Sequence, residues 1–298
     1  GSFNMADLSL RVAEIENRGL VNVTAVLFLV GFGIKSAVFP LYFWLPASYH
    51  TPPPAISAIF GGLLTKVGVY ALLRVFTLIF VPDAFLTTVI MVLAIFTILS
   101  GGIGALIQNN MRKVVSYLII CHIGFMLAGL GVYSSLAIAG AIFYLVHDIV
   151  VKTNLFMVSG LIFKFNGTYS MRLLGSFYKE HPKLSLLMAV PLFSLVGIPP
   201  LSGFWGKLLI LQGAIEQSNI LVLVFVILGS FLTLFIIARL WSEVYWKDGP
   251  ELPKKKHIKY FNALKPLKRR AMIGSILFLS LISLGIGFGA EWVMRLSI

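Results

Sequence analysis

Long apolar runs separated by short polar loops make up most of this chain. The runs fall at 22–49, 55–81, 86–108, 114–132, 136–163, 184–213, 219–246 and 271–294. Each approaches the roughly 20 residues an α-helix needs to cross a hydrocarbon core. Backbone polar groups in lipid must be satisfied within the segment itself. The pattern therefore predicts an all-α polytopic membrane bundle of about eight spans. Residues 1–20 depart from it, because Asp7, Arg11, Glu14, Glu16 and Arg18 interrupt any apolar core. That stretch reads as an amphipathic connecting segment, without the form of a signal peptide, and 21–298 as the membrane domain. The segment reads as arriving from something earlier, so the chain is expected to be part of a longer one.

Two runs are interrupted. In the first, Pro40 and Pro46 follow Lys35, and Pro52, Pro53 and Pro54 precede the next run. In the sixth, Pro199 and Pro200 stand between Gly197 and Gly203, with Lys207 one to two turns on. Proline removes a backbone donor and clashes one turn back. Freed carbonyls at membrane depth are tolerated only against protein or water. The breaks predict two spans broken mid-membrane, each carrying a lysine, and paired interrupted spans are a pointer to a transport site.

Other polar residues also lie inside apolar runs. Lys66 sits among Gly61, Gly62 and Gly68, and His122 lies in the fourth run. The fifth run holds His147, Asp148, Lys152, Thr153 and Asn154. A charged side chain at the bilayer centre costs about 3 kcal/mol on insertion scales, so such residues face a bundle interior or a water-filled path. Asp148 and Lys152 are four apart and share a helix face, where they can pair. His147, about 100° away, is expected to look toward a neighbouring helix. A buried lysine can serve as a switchable proton site, and an imidazole can accept a proton on one nitrogen while donating from the other. Lys35, Lys66, His122, His147, Lys152 and Lys207 are thus the candidate proton path, with Asp148 as a pairing carboxylate. Lys35 lies near the C-terminal end of its half-helix, whereas Lys207 follows a break and is expected to feel the opposite dipole end. The two are expected to titrate apart.

Composition narrows the class. Hydrophobic residues make up 58% of the 298 positions, against about 45–50% in soluble domains, which excludes a soluble enzyme or nucleic-acid module. The net charge of +13 arises in loops between apolar runs, as positive-inside topology requires. Alternating eight spans sends Arg112, Lys113, Lys164, Arg172, Lys179, Lys183 and the basic stretch from Lys247 to Arg270 to one face. Loops around Asp83, Ser134 and Glu216 go to the other. The basic loops are expected to be cytoplasmic, with both termini of this chain outside, in a multi-pass protein of the cell membrane. The basic stretch also suits lipid headgroups. Cys121 is the only cysteine, so no intrachain disulfide can form. No nucleotide-binding glycine loop and no CxxC or histidine cluster is found. No cofactor, metal or catalytic group is expected, and the ion gradient would supply the driving force.

Taken together, GIKSAVFPLYFWLPASYHTPPPAISAIFGGLLTKVGVY, SYLIICHIGFMLAG, HDIVVKTNLF and GIPPLSGFWGKLLIL resemble, in order, the motifs of a known family. They are those of the antiporter-like membrane subunits shared by respiratory complex I, membrane-bound hydrogenases and Mrp-type multisubunit cation/proton antiporters. The likeness covers essentially the whole chain and is greatest to the D-type Mrp subunits. It implies fourteen helices with two inverted five-helix repeats and a hydrated polar axis along the midplane. Lys35 matches the lysine of the first broken helix and Lys66 that of the following helix. His122, His147 and Lys152 match the connecting relay, and Lys207 the terminal residue of the second broken helix. The family's first six helices, with a glutamate that pairs at the Lys35 position, are not in this sequence. The resemblance implies a proton-translocating subunit of a multisubunit Na⁺/H⁺ antiporter, a transporter and not an enzyme, with other membrane subunits as partners. Two alternatives remain: a proton-pumping subunit of a redox-driven complex, and a non-transporting membrane scaffold.

Overall fold

A computed structural model of the chain describes residues 4–249, 261 and 264–292. The expected basic residues 254–256 and 259, and the last residues of the eighth run, lie outside the described ones. The described chain is helical, and its one β-bridge joins Asn110 to Ser170 between loops.

In order the helices are α1 (Met5–Ala13), α2 (Arg18–Ser36), α3 (Trp44–Tyr49) and α4 (Pro54–Leu78). There follow α5 (Ala84–Ile107), α6 (Met111–Val132), α7 (Ser135–Asn166) and α8 (Pro182–Val196). The last are α9 (Ser202–Glu216), α10 (Ile220–Trp246) and α11 (Pro266–Phe288). Seven of these (α2, α4 to α7, α10 and α11) are long and apolar enough to cross a membrane. The expected sixth span is instead made by α8 and α9, 15 residues each. Asparagine, aspartate and serine side chains cap the N-termini of α1, α2, α5, α6, α7 and α10, supplying acceptors for otherwise unpaired N–H groups. α1 has no buried residue, and its Val12 packs against the core from the side.

Both breaks lie at mid-depth. At the start of α2, Asn22 donates to Asp83 at 2.7 Å, just before α5. About 20 Å further along α5 at 1.5 Å per residue, Thr97 Oγ1 accepts from Phe39 N–H at 3.0 Å. Thus α2 enters from the Asp83 end and stops halfway, at Ala37 in a left-handed cap. α3 then descends to the other end, where Arg112 donates to the carbonyl of Pro52 at 2.5 Å and to the Ser57 hydroxyl. Pro46, expected at the break, lies in the first turn of α3, where a missing N–H costs nothing. Pro40 does lie in the irregular segment, after a cis bond, as does Pro200 in the second break.

The second broken span runs the opposite way. α8 rises from the end carrying Lys179 and Lys183 and stops at Gly197, whose φ of 87° makes a left-handed cap. α9 continues antiparallel to α7: Ser202 reaches His147, Gly206 faces Tyr144 and Gly213 faces Ala137 and Ser134. The two broken spans therefore enter from opposite faces.

The basic loops gather at one end. Met111 N–H donates to Tyr169 O at 2.9 Å, Ser176 N–H to Lys247 O at 2.6 Å, and Lys179 pairs with Asp248 at 2.7 Å. At the heart of the bundle α6 is buried almost throughout, between α5 and α7.

Candidate functional site

The longest helix carries the densest chemistry. α7 places Tyr144, His147, Asp148 and Lys152 in the interior, each fully buried. Asp148 is the hub. Its Oδ2 lies 2.7 Å from Lys66 Nζ, and its Oδ1 lies 3.2 Å from His122 Nδ1 and 3.9 Å from Lys152 Nζ. Lys152 is on the same helix, one turn on, as its spacing predicts. The Lys66 and His122 contacts come from α4 and α6.

Two local features bring Lys66 in. A Cβ on Gly61 would collide with the Phe156 ring, and one on Gly62 with the Thr153 hydroxyl. The bare backbone of α4 therefore packs directly on α7, as small residues permit in lipid. Residues Phe60–Leu64 also form a π-helical turn. Such turns leave a carbonyl outside the regular ladder, and Gly61 O accepts from Lys66 Nζ at 2.8 Å. Lys66 is thus held between its own helix backbone and the Asp148 carboxylate. Lys152 Nζ has no hydrogen-bond partner among the described residues.

From Asp148 the polar contacts continue through His122 to Tyr144, whose hydroxyl is 2.9 Å from His122 Nδ1. Lys207 on α9 lies beyond, its ammonium 5.0 Å from the Phe125 ring centroid and 6.0 Å from that of Tyr144. Lys207 Nζ donates to Val196 O at 2.8 Å, across the break. The expectation that Lys207 feels a helix N-terminus is corrected here. The side chain reaches back to the terminal carbonyls of α8, so its ammonium sits at the negative end of that half-helix. Lys35, in the last turn of α2, also sits at a C-terminal end.

His147 takes a different direction from His122. Its Nδ1 lies 2.7 Å from Ser202 Oγ, so it does look toward a neighbouring helix. Ser202, Ser194 and Ser283 form a closed ring of hydroxyls with separations of 2.8, 2.9 and 3.0 Å. The ring ties α8, α9 and α11 together at the second break. Lys35 stands apart: its side chain is exposed and makes no ion pair among the described residues. Of the six expected path residues, the fold joins Lys66, His122 and Lys152 around Asp148. It sets Lys207 and His147 nearby at the second break and leaves Lys35 outside.

Sequence reading missed Tyr144, the three serines and Thr233, whose Oγ1 lies 3.5 Å from His122 Nε2. Tyr144 had a signal, being one turn before Asp148 on the same face of α7. The serines had none, because each comes from a different helix.

The transmembrane family described as NADH:quinone oxidoreductase/Mrp antiporter matches residues 1–233. The chain is similar to the D-type Na⁺/H⁺ antiporter subunit of Bacillus subtilis (strain 168), 43% identical over 98% of this chain and 58% of that protein. It is 41% identical to the D-type Na⁺/H⁺ antiporter subunit of Alkalihalophilus pseudofirmus, over 100% of this chain and 59% of that one. Among solved structures it is similar to a chain of the Mrp complex from Dietzia sp. DQ12-45-1b, with TM-score 0.87, 26% identity, and coverage of 100% and 61%. It shares its fold with a chain of respiratory complex I from Thermus thermophilus, at TM-score 0.77, 24% identity, and coverage of 92% and 57%. The chain thus spans about three-fifths of the length of these relatives.

Proposed function

This chain belongs to the NADH:quinone oxidoreductase/Mrp antiporter transmembrane family, and from that premise we propose that it carries part of the proton path of a multisubunit monovalent cation/H⁺ antiporter. The observation that carries the reading is charge bookkeeping. Lys66, Lys152 and Lys207 are all buried, and Asp148 is the one buried carboxylate among the described residues. Were all three amines charged, two positive charges would stand without a counter-ion in a low-dielectric interior, where each unpaired ion costs several kcal/mol. At a separation of about 8 Å and an effective dielectric of 20, two like charges repel by about 2 kcal/mol. Loading a proton on one amine therefore favours release from another, which is what a stepwise path needs. His122 and Tyr144 lie between the Asp148 cluster and Lys207.

Na⁺ is the proposed counter-cation because relatives at 41–43% identity bear the name Na⁺/H⁺ antiporter, whereas the redox complex I chain stands at 24%. The proposed partners are other membrane subunits and lipids, in the cell membrane with the basic end cytoplasmic. Lys35 is proposed as the outer member of the path. An ammonium facing lipid costs about 3 kcal/mol, so its exposed position favours a protein neighbour that bears an acid.

The test is cation-driven proton movement in vesicles containing the assembled complex. Lys152→Ala is expected to lower exchange at least tenfold while the complex still assembles. Unchanged exchange would leave the scaffold reading in its place.

A further inference from the structure

His122 has three oxygen neighbours on two ring nitrogens. Nδ1 lies 2.9 Å from Tyr144 Oη and 3.2 Å from Asp148 Oδ1, and Nε2 lies 3.5 Å from Thr233 Oγ1. The Thr233 hydroxyl already donates its one hydrogen to Gly229 O at 2.8 Å. Toward the imidazole it can only accept. That favours the tautomer with hydrogen on Nε2 and leaves Nδ1 bare. A bare Nδ1 can accept from the Tyr144 hydroxyl, but it meets only lone pairs on an ionised Asp148. Asp148 becomes a partner only when Nδ1 itself carries hydrogen. The two oxygens thus compete for one nitrogen, each suited to a different state of the ring.

We propose that Tyr144 is a positioning residue that holds His122 in its Nε2–H form, unengaged with Asp148, until a proton arrives at Nδ1. The inference rests on the proton-path reading and adds to it how the path is interrupted. The step balances simply. An incoming proton adds to the Nδ1 lone pair, the new N–H donates to Asp148 Oδ1, and the Tyr144 hydroxyl loses its acceptor and rotates. When the Nδ1 proton leaves, the hydroxyl swings back, and no bond of the tyrosine breaks.

Lys152 Nζ, 3.9 Å from the same Asp148 oxygen and with no hydrogen-bond acceptor of its own among the described residues, is the candidate donor. The groups facing this pair are Lys66 from α4, Cys121 from α6, His147, Asp148 and Lys152 from α7, and Lys207 from α9. Tyr144 also links the second break to His122, beside Phe125, whose ring lies 5.0 Å from the Lys207 ammonium and 5.5 Å from the His122 ring. The Tyr144 ring lies 5.1 Å from that of His147 and beneath the Lys207 ammonium, and the backbone of Gly206 packs against it.

The experiment is nitrogen NMR of ¹⁵N-histidine in the full-length chain within its assembled complex in lipid, with His122→Gln to assign the signal. The unmodified protein is expected to show His122 as Nε2–H. Tyr144→Phe keeps the ring and removes the hydroxyl, and His122 is then expected to appear as Nδ1–H, donating to Asp148. Asp148→Asn added to Tyr144→Phe is expected to restore Nε2–H, because an amide can donate to a bare Nδ1. Exchange in vesicles is expected to fall about tenfold in Tyr144→Phe with assembly retained. Nδ1–H in the unmodified protein, or an unchanged tautomer in Tyr144→Phe, overturns the proposal. Should Tyr144→Phe not assemble, Thr233→Val removes the acceptor at Nε2 and is expected to mix the two tautomers; a single unchanged tautomer there overturns it too. Exchange insensitive to Lys152→Ala would count against the proton path alone, since the tautomer reading needs no transport.

Discussion

Asp148 is one carboxylate serving three basic groups, and its replacement tests that arrangement at a single position. Asp148→Asn keeps shape and hydrogen-bonding capacity but removes the negative charge from Lys66, Lys152 and His122. Removing one partner of a buried pair costs about 3–5 kcal/mol, because the other is left uncompensated. Exchange is expected to fall at least tenfold, with a lower midpoint of thermal unfolding in detergent; equal activity and midpoint would deny Asp148 its role as shared counter-ion. A second aspartate, Asp83, gives a pH-dependent effect outside the membrane-spanning segments. The Leu86 N–H and then the Asn22 amide, both donating to it, hold its carboxyl below the usual carboxylate range. Its contribution to stability is therefore present above the unfolded value near 4 and is lost as pH falls through the lower folded value. Asp83→Ala, removing the cap of α5, is expected to cost about 1 kcal/mol at pH 7 and less in strong acid. A cost independent of pH would count against the charge.

The breaks and the π-helical turn act at the scale of whole elements. They put unpaired carbonyls where lysines can use them: Gly61 O for Lys66, and Val196 O for Lys207. Close approach of helices is the other half of the design. Gly62→Val would push α4 off the Thr153 side of α7, and overpacking of this kind costs about 1–3 kcal/mol. It is expected to separate Lys66 from Asp148 and to lower both exchange and the unfolding midpoint. Gly274, on α11, has open space around it, and Gly274→Ala is expected to be neutral or slightly stabilising, since alanine favours helix. If the two variants behave alike, the contact between α4 and α7 is not what sets the site.

At the scale of the molecule, the gathering of Arg172, Lys179, Lys183 and Lys247 at one end gives a testable orientation. Lys183 and Val81 are exposed at opposite ends, and the only native cysteine, Cys121, is buried. In intact cells an impermeant thiol reagent is expected to label Val81→Cys and spare Lys183→Cys. The reverse pattern would place the basic end outside. Much of this architecture was readable beforehand. Eight apolar runs gave six continuous spans and two broken ones, and the same runs sorted the described loop cations to one end.

The sequence alone determined what depends on local rules: where helices run, that prolines interrupt two of the spans, and that Asp148 and Lys152 share a face one turn apart. It also determined that lysines and histidines must lie inside the membrane-spanning part, because they stand within apolar runs. Only the tertiary structure decided which of them meet. Lys66 and His122 reach Asp148 from two other helices, the serine ring draws on three, and Lys207 turns back to the carbonyls of α8. Lys35, equally prominent in the sequence, stays on the surface. Contacts between helices depend on crossing geometry and on the depth at which each span breaks. Those quantities arise from packing many side chains at once, and no periodicity within a single run encodes them.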